Sequence, residues 1–152
     1  GVTERSLFVS QIDDGCLYEG EGFDEVPDGV PDGYGTETYP DGSSFEGQFC
    51  MGQRHGLGIY YFTNGRIYEG QWCAGVRDGT GVERYEHSFL LRGPLDASGL
   101  VSYKKGGLVM RKELKGNECI VSSLLLDVVD AVELARSSSR DARATITVVP
   151  KF

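Results

Sequence analysis

Few residues in this chain carry the chemistry of catalysis or metal binding. Its two histidines are His55 and His87, and its four cysteines stand at 16, 50, 73 and 119 with no Cys-x-x-Cys pair. A nucleophile needs a neighbouring base, and no Gly-x-Ser-x-Gly elbow, phosphate-binding loop or Cys–His pair at a workable spacing provides one. The basic cluster Lys104, Lys105, Arg111, Lys112 and Lys115, with only Glu113 against it, suits an anion or anionic lipid head groups. It equally suits a solvated edge strand protected by lysines. The expectation is a non-enzymatic chain with no metal and no cofactor.

What positions the remaining residues is a repeat. "FEGQFCMGQRHGLG" (45–58) and "YEGQWCAGVRDGTG" (68–81) begin 23 residues apart and share eight residues in place. Each unit opens aromatic-Glu-Gly-Gln-aromatic (Phe45/Phe49, then Tyr68/Trp72) and continues to a Gly-x-Gly (Gly56/Gly58, Gly79/Gly81). Asn64-Gly65 closes the first unit as a turn signal. The phase extends upstream through "YEGEGF" and "GYGTETYPDG", with a four-residue insertion around 24–30, to a half unit at 8–17. Downstream, "LRGPL" and "GLVSYKKGG" read as a shortened unit. Strand alternation places Tyr68, Gly70 and Trp72 on one face and Glu69 and Gln71 on the other, with Gly56, Gly58, Tyr60 and Phe62 together. A ring lying over glycine on a neighbouring strand covers bare backbone. Each unit is then a hairpin that buries its face only by stacking on the next.

The pattern Tyr-Glu-Gly-x-Trp-x-x-Gly-x-x-x-Gly-x-Gly, ending near Asp/Asn-Gly, resembles the MORN (membrane occupation and recognition nexus) repeat over roughly residues 8–109. Asp32 and Asp78 depart from the family at the position His55 occupies, and Leu91-Arg92 replaces the aromatic-Glu pair. The resemblance implies an elongated single-layer antiparallel sheet. Residues 1–7 form a lead-in, followed by an array over 8–116 with units 18–44, 45–67, 68–90 and 91–109. One repeat advances about 10 Å in such a sheet. That distance separates Cys50 from Cys73 beyond disulfide or shared-zinc reach, so they read as repeat-equivalent packing residues.

After Gly116 the period changes. Val121, Leu125, Val128, Val132 and Ala135 recur at helical spacing in 117–152. A helix starting at Asn117 or Ser122-Ser123 and ending at Ser137–Ser139 is expected to cap the last hairpin, with a short strand at Thr145–Val149. The 36 residues after Gly116 are too few for the catalytic domain that some relatives carry.

Net charge is −8, unevenly placed: residues 1–50 hold twelve acids and one base, −11, and residues 51–152 hold eleven acids and fourteen bases, +3. This balance opposes nucleic-acid binding and favours a basic partner for the first half. No apolar run approaches the roughly 20 residues that span a bilayer, and cysteine usage points to reduced thiols inside the cell. The resemblance implies a scaffold holding a partner's helix or extended peptide, in the cytoplasm and in a cytoskeletal, ciliary/axonemal or signalling assembly. The expected groove comprises Tyr18, Phe45, Phe49, Tyr60, Phe62, Tyr68, Trp72 and Tyr85, fringed by Glu19, Glu46 and Glu69. A second copy of the chain is a further expected partner through an end of the strip. Membrane recruitment by anionic phospholipid is the lesser alternative, and a regulatory piece of a larger multidomain protein is another.

Overall fold

The computed structural model describes residues 4–12, 15–85, 99–113 and 122–147. Nine strands form one antiparallel sheet in chain order: β1 (Ser6–Ile12), β2 (Cys16–Phe23), β3 (Val30–Thr38), β4 (Ser44–Cys50), β5 (Gln53–Tyr61), β6 (Arg66–Cys73), β7 (Val76–Tyr85), β8 (Gly99–Lys104) and β9 (Gly107–Glu113). Helix α1 (Ser122–Thr147) follows. The expected fold class is therefore present: an open antiparallel sheet of successive hairpins with a C-terminal helix. Residues 91–98, Cys119 and Lys115 lie outside the described residues.

The register explains the glycines. Gly20 faces Gly35, which faces Gly47, then Gly58, Gly70 and Gly81 in turn, so one glycine from each of β2 to β7 forms a row across the sheet. Phe8 and Val101 close the row at its two ends. Tyr18, Phe45 and Tyr68 lie over Gly35, Gly58 and Gly81, where an added Cβ would stand 2.3 Å from the overlying side chain. All three rings are fully buried although no second sheet covers them.

Beside this row the β2–β3, β4–β5 and β6–β7 hairpins each carry a bulge, marked by register shifts at Gly20/Gly22, Gly47/Phe49 and Gly70/Trp72. A bulge leaves a backbone donor without its ladder partner. Side chains fill the gap: Glu21 accepts from the Tyr34 N–H at 2.9 Å, Gln48 from Leu57 at 2.7 Å and Gln71 from Thr80 at 2.8 Å. The third residue after each ring-bearing aromatic is thus a backbone surrogate. The hairpins turn tightly at Met51-Gly52 and Ala74-Gly75, with φ of 49° and 88°, then 50° and 87°. Paired positive φ is the signature of the turn whose twist matches the flanking strands. Because these turns follow Cys50 and Cys73 directly, Cys50 is exposed and Cys73 half-buried, which corrects their reading as packing residues. Asn64-Gly65 forms the expected turn between units, with Asn64 accepting from the Arg66 N–H at 3.0 Å.

The helix departs from expectation in three ways. It does not end at Ser137–Ser139, because Ser139 is buried and its Oγ lies 3.0 Å from Thr36 Oγ1 on β3, a partner that compensates for serine's poor helix propensity. The expected strand at Thr145–Val149 is helical through Thr147, where Thr145 donates to the Ala142 carbonyl at 2.6 Å; residues 148–149 lie outside the described residues. Finally, α1 crosses β1 to β6 on the face opposite the rings instead of covering the last hairpin. Leu57, Ile59 and Ile67 on that face give Leu124, Val128 and Val132 apolar ground, whereas β9 is exposed along its whole length.

The ring-on-glycine contact has a direct stability consequence. Gly58→Ala should destabilise the chain by about 1–3 kcal/mol through overpacking against Phe45. Gly107→Ala, whose Cβ would meet only a carbonyl at 3.5 Å, should cost less than about 0.5 kcal/mol. Urea denaturation of both variants checks the order; equal midpoints would remove the roofing contact as a source of stability.

Candidate functional site

Two faces were formed by the same alternation, and they differ in kind. On the first, Phe8, Tyr18, Phe49, Phe45, Trp72, Tyr68 and Tyr103 make an unbroken chain of rings with successive centroids 5.0–5.6 Å apart. Most of the contacts are edge-to-face, which places the positive ring edge against the negative ring face. The expected groove residues Tyr18, Phe45, Phe49, Tyr68 and Trp72 are at most 5% exposed, so they form the core of this face. Their burial corrects them from groove to spine: Tyr18, Phe45 and Tyr68 pack over glycines, and Phe49 and Trp72 stand edge-on to those rings. Tyr60 and Phe62 stay half-buried at the rim, and the side chain of Tyr85 lies outside the described residues.

Two arginines at the repeat distance, Arg54 and Arg77, sit on this face and were not singled out from sequence. Their spacing of one repeat within the shared segment is the signal that marks them. Arg54 Cζ lies 5.4, 5.1 and 5.0 Å from the ring centroids of Tyr39, Tyr60 and Trp72. It donates to the Tyr39 hydroxyl at 2.9 Å and the Gly75 carbonyl at 2.6 Å. Arg77 Cζ lies 4.3 Å from the Tyr103 centroid. Arg77 donates to Tyr103 at 2.9 Å and to Glu83 at 3.2 Å. Glu83 is 2% exposed and also accepts from Arg111 at 3.3 Å and from the Tyr103 hydroxyl, so its buried charge is fully paired. A shallow notch of about 210 Å³ remains between Arg54, Tyr60, Phe62, Trp72, Val76 and Arg77.

The opposite face carries the glutamates. Glu46 and Glu69, expected to fringe the aromatic side, face away from it with Glu19, because they alternate with the rings along β2, β4 and β6. Arg136 of α1 donates to Glu46 at 2.5 and 3.3 Å and to the Tyr61 hydroxyl at 3.1 Å. Arg143 meets Glu19 at 3.2 Å. Glu69 accepts from Arg84 of β7 at 2.6 Å instead. A cleft of about 380 Å³ persists between helix and sheet, lined in part by Thr36, Thr38, Ser44 and Arg140.

Protonation follows these partners. Burial pushes the Tyr61 hydroxyl up to about 12, with Glu46 adding to the effect. Burial also pushes Tyr103 up to about 12, with its bond to Glu83 adding. Burial raises Tyr18, Tyr39 and Tyr68 as well. These phenols therefore stay neutral donors near neutral pH. Burial raises the Glu37 carboxyl against the opposing bond from Tyr39. The bond to Glu46 holds the Arg136 guanidinium above its ordinary value.

The basic cluster sits on the β8–β9 hairpin. Lys104, Lys105, Arg111 and Lys112 are exposed, and Arg111 also serves the buried Glu83. Beside them Leu108, Val109 and Met110 are 54%, 66% and 42% exposed.

The arrangement as a whole offers surfaces for binding. A search of curated proteins finds no match. The family model of the MORN repeat matches residues 28–44, 45–65 and 68–86. Those segments contain the glycine row from Gly35 to Gly81, the bulge-filling Gln48 and Gln71, and the rings of Phe45 and Tyr68. Three consecutive matches over hairpins built to one plan settle the family: the chain is a MORN-repeat protein.

Proposed function

We propose that this protein is a non-catalytic scaffold that holds a helix or extended peptide of a partner protein against its sheet. The single observation that carries this reading is that the sheet already holds a 26-residue helix across six of its strands. The spine of rings supplies a rigid support, and the glutamate face supplies charge for a basic segment. The setting proposed is cytoplasmic, in a cytoskeletal, ciliary/axonemal or signalling assembly, on the strength of the MORN resemblance. Capture from a ciliated-cell lysate by the immobilised chain should retain a discrete protein set. Glu19→Arg/Glu46→Arg should lose it, while Lys104→Glu should keep it. Retention of the same set by the double variant would overturn the reading.

A second reading has its own observation. Leu108, Val109 and Met110 stand exposed in a row beside Lys104, Lys105 and Lys112, which is the composition of an element that inserts between anionic head groups. Each base near such a surface contributes about 1 kcal/mol. No described helix is long and apolar enough to cross a membrane, so docking would be peripheral. Wild-type chain should co-sediment with phosphatidylserine vesicles at low salt. Lys104→Glu/Lys105→Glu should weaken partitioning by about tenfold or more. Absence of wild-type pelleting would remove this reading.

A further inference from the structure

We infer that α1 is a displaceable resident of a glutamate row whose external ligand is a basic helix with arginines recurring every seven residues. The inference rests on the scaffold reading above and names the partner's chemistry and its control. Glu19, Glu46 and Glu69 occupy one position on β2, β4 and β6, so they are spaced about 10 Å apart. Their side chains are 12%, 17% and 8% exposed. Arg136 and Arg143 are seven residues apart, a rise of about 10.5 Å with nearly the same azimuth. They meet Glu46 and Glu19 in that order. The helix thus reads the hairpin repeat as a ruler.

The fit is incomplete in a way that favours exchange. One heptad before Arg136 stands Val129, 44% exposed, and the third glutamate is engaged by Arg84 of the sheet. Arg136 and Arg143 are 50% and 57% exposed, and ion pairs at that exposure hold weakly. Beside and between them the buried residues Ala135, Ser139 and Ala142 are small, and the cleft of about 380 Å³ lies next to them. The larger apolar contacts, Leu124, Val128 and Val132, lie over β5 and β6, whereas Ala135, Ser139 and Ala142 bury only small side chains. With small buried residues and half-exposed ion pairs, the C-terminal half of α1, over β1 to β4, is the part a competitor replaces. A competing helix with a third arginine and larger apolar residues facing the cleft would use every station.

The test uses the 152-residue chain and a fluorescein-labelled peptide of residues 122–147 carrying Val129→Arg, followed by anisotropy. Chain with Arg136→Glu/Arg143→Glu, its own helix loosened, should bind the peptide at least about tenfold tighter than wild type. Chain with Glu19→Arg/Glu46→Arg should not bind it. Equal affinity for the wild-type and loosened chains, or binding to the inverted row, overturns the proposal, as does no binding by a loosened chain that retains its sheet signal. Should the loosened chain unfold, hydrogen exchange on wild type decides: saturating peptide should accelerate exchange in residues 135–147, and unchanged exchange overturns the proposal. Exchange of α1 between copies, seen as a wild-type dimer by light scattering, would replace the partner with a second copy and also overturn it. If the peptide fails while lysate capture still depends on Glu19 and Glu46, only the role of α1 falls and the scaffold reading stands.

Discussion

An aromatic ring packed over glycine is the contact on which this sheet depends. A single layer has no opposing sheet, so its apolar side chains would normally face water. Here the row from Gly20 to Gly81 removes the side chains across six strands, and Tyr18, Phe45 and Tyr68 settle onto the exposed backbone. Each ring then touches the next through Phe49 and Trp72, so burial that one hairpin cannot provide accrues along the row. Burying such side chains is worth about 1.5–3 kcal/mol each. The same packing means that the aromatic face is satisfied within the chain and has no need of a partner to cover it.

Polar groups on that face follow the end of the row. Glu83 stands opposite Tyr68 on the ring side, where the equivalent residue one repeat earlier is Tyr60. A carboxylate in such a place is tolerable only when fully paired. Arg77 comes from its own strand, Tyr103 from β8 and Arg111 from β9, so the charge ties the last three strands together where the glycines run out. Part of the basic cluster is thereby drawn into structure. Arg111 is half of a core ion pair, while Lys104 and Lys105 remain at the surface.

Much of this was legible because two periods coincide in the chain. The 23-residue echo and the two-residue strand alternation together place Gly58 with Tyr60 and Tyr68 with Trp72, as the sheet does. Other features resist reading because their cause lies outside the local sequence. Met51, Ala74 and Lys105 adopt φ near 50°, a conformation that none of these residue types announces. Gln48 and Gln71 are read from sequence only as repeated polar residues, yet their oxygens replace missing ladder acceptors. The sequence left two uses for the rings, covering glycine or lining a groove, since alternation gives a face without saying whether that face is open. Ser137–Ser139 read as a helix end, but a hydroxyl on β3 holds Ser139 inside the helix.

The position of α1 is harder to derive from either period, and it follows from their near agreement. A helix laid across strands advances about 1.5 Å per residue, so seven residues cover about 10.5 Å, against about 9.6 Å for two strands. Tilting the helix axis by about 24° from the perpendicular to the strands closes that difference. A heptad on the helix can therefore stay level with the repeat on the sheet over several hairpins, and charges placed at both periods meet repeatedly without adjustment. Val128 and Val132, buried over Ile59 and Ile67, fix which side of the helix faces the sheet. Arg136 on Glu46 and Arg143 on Glu19 add to this register, since a shift by one residue would carry both guanidinium groups off their carboxylates together. Register on this face is thus set by apolar and charged contacts together, while the sheet beneath it is held by rings on glycine on its other face.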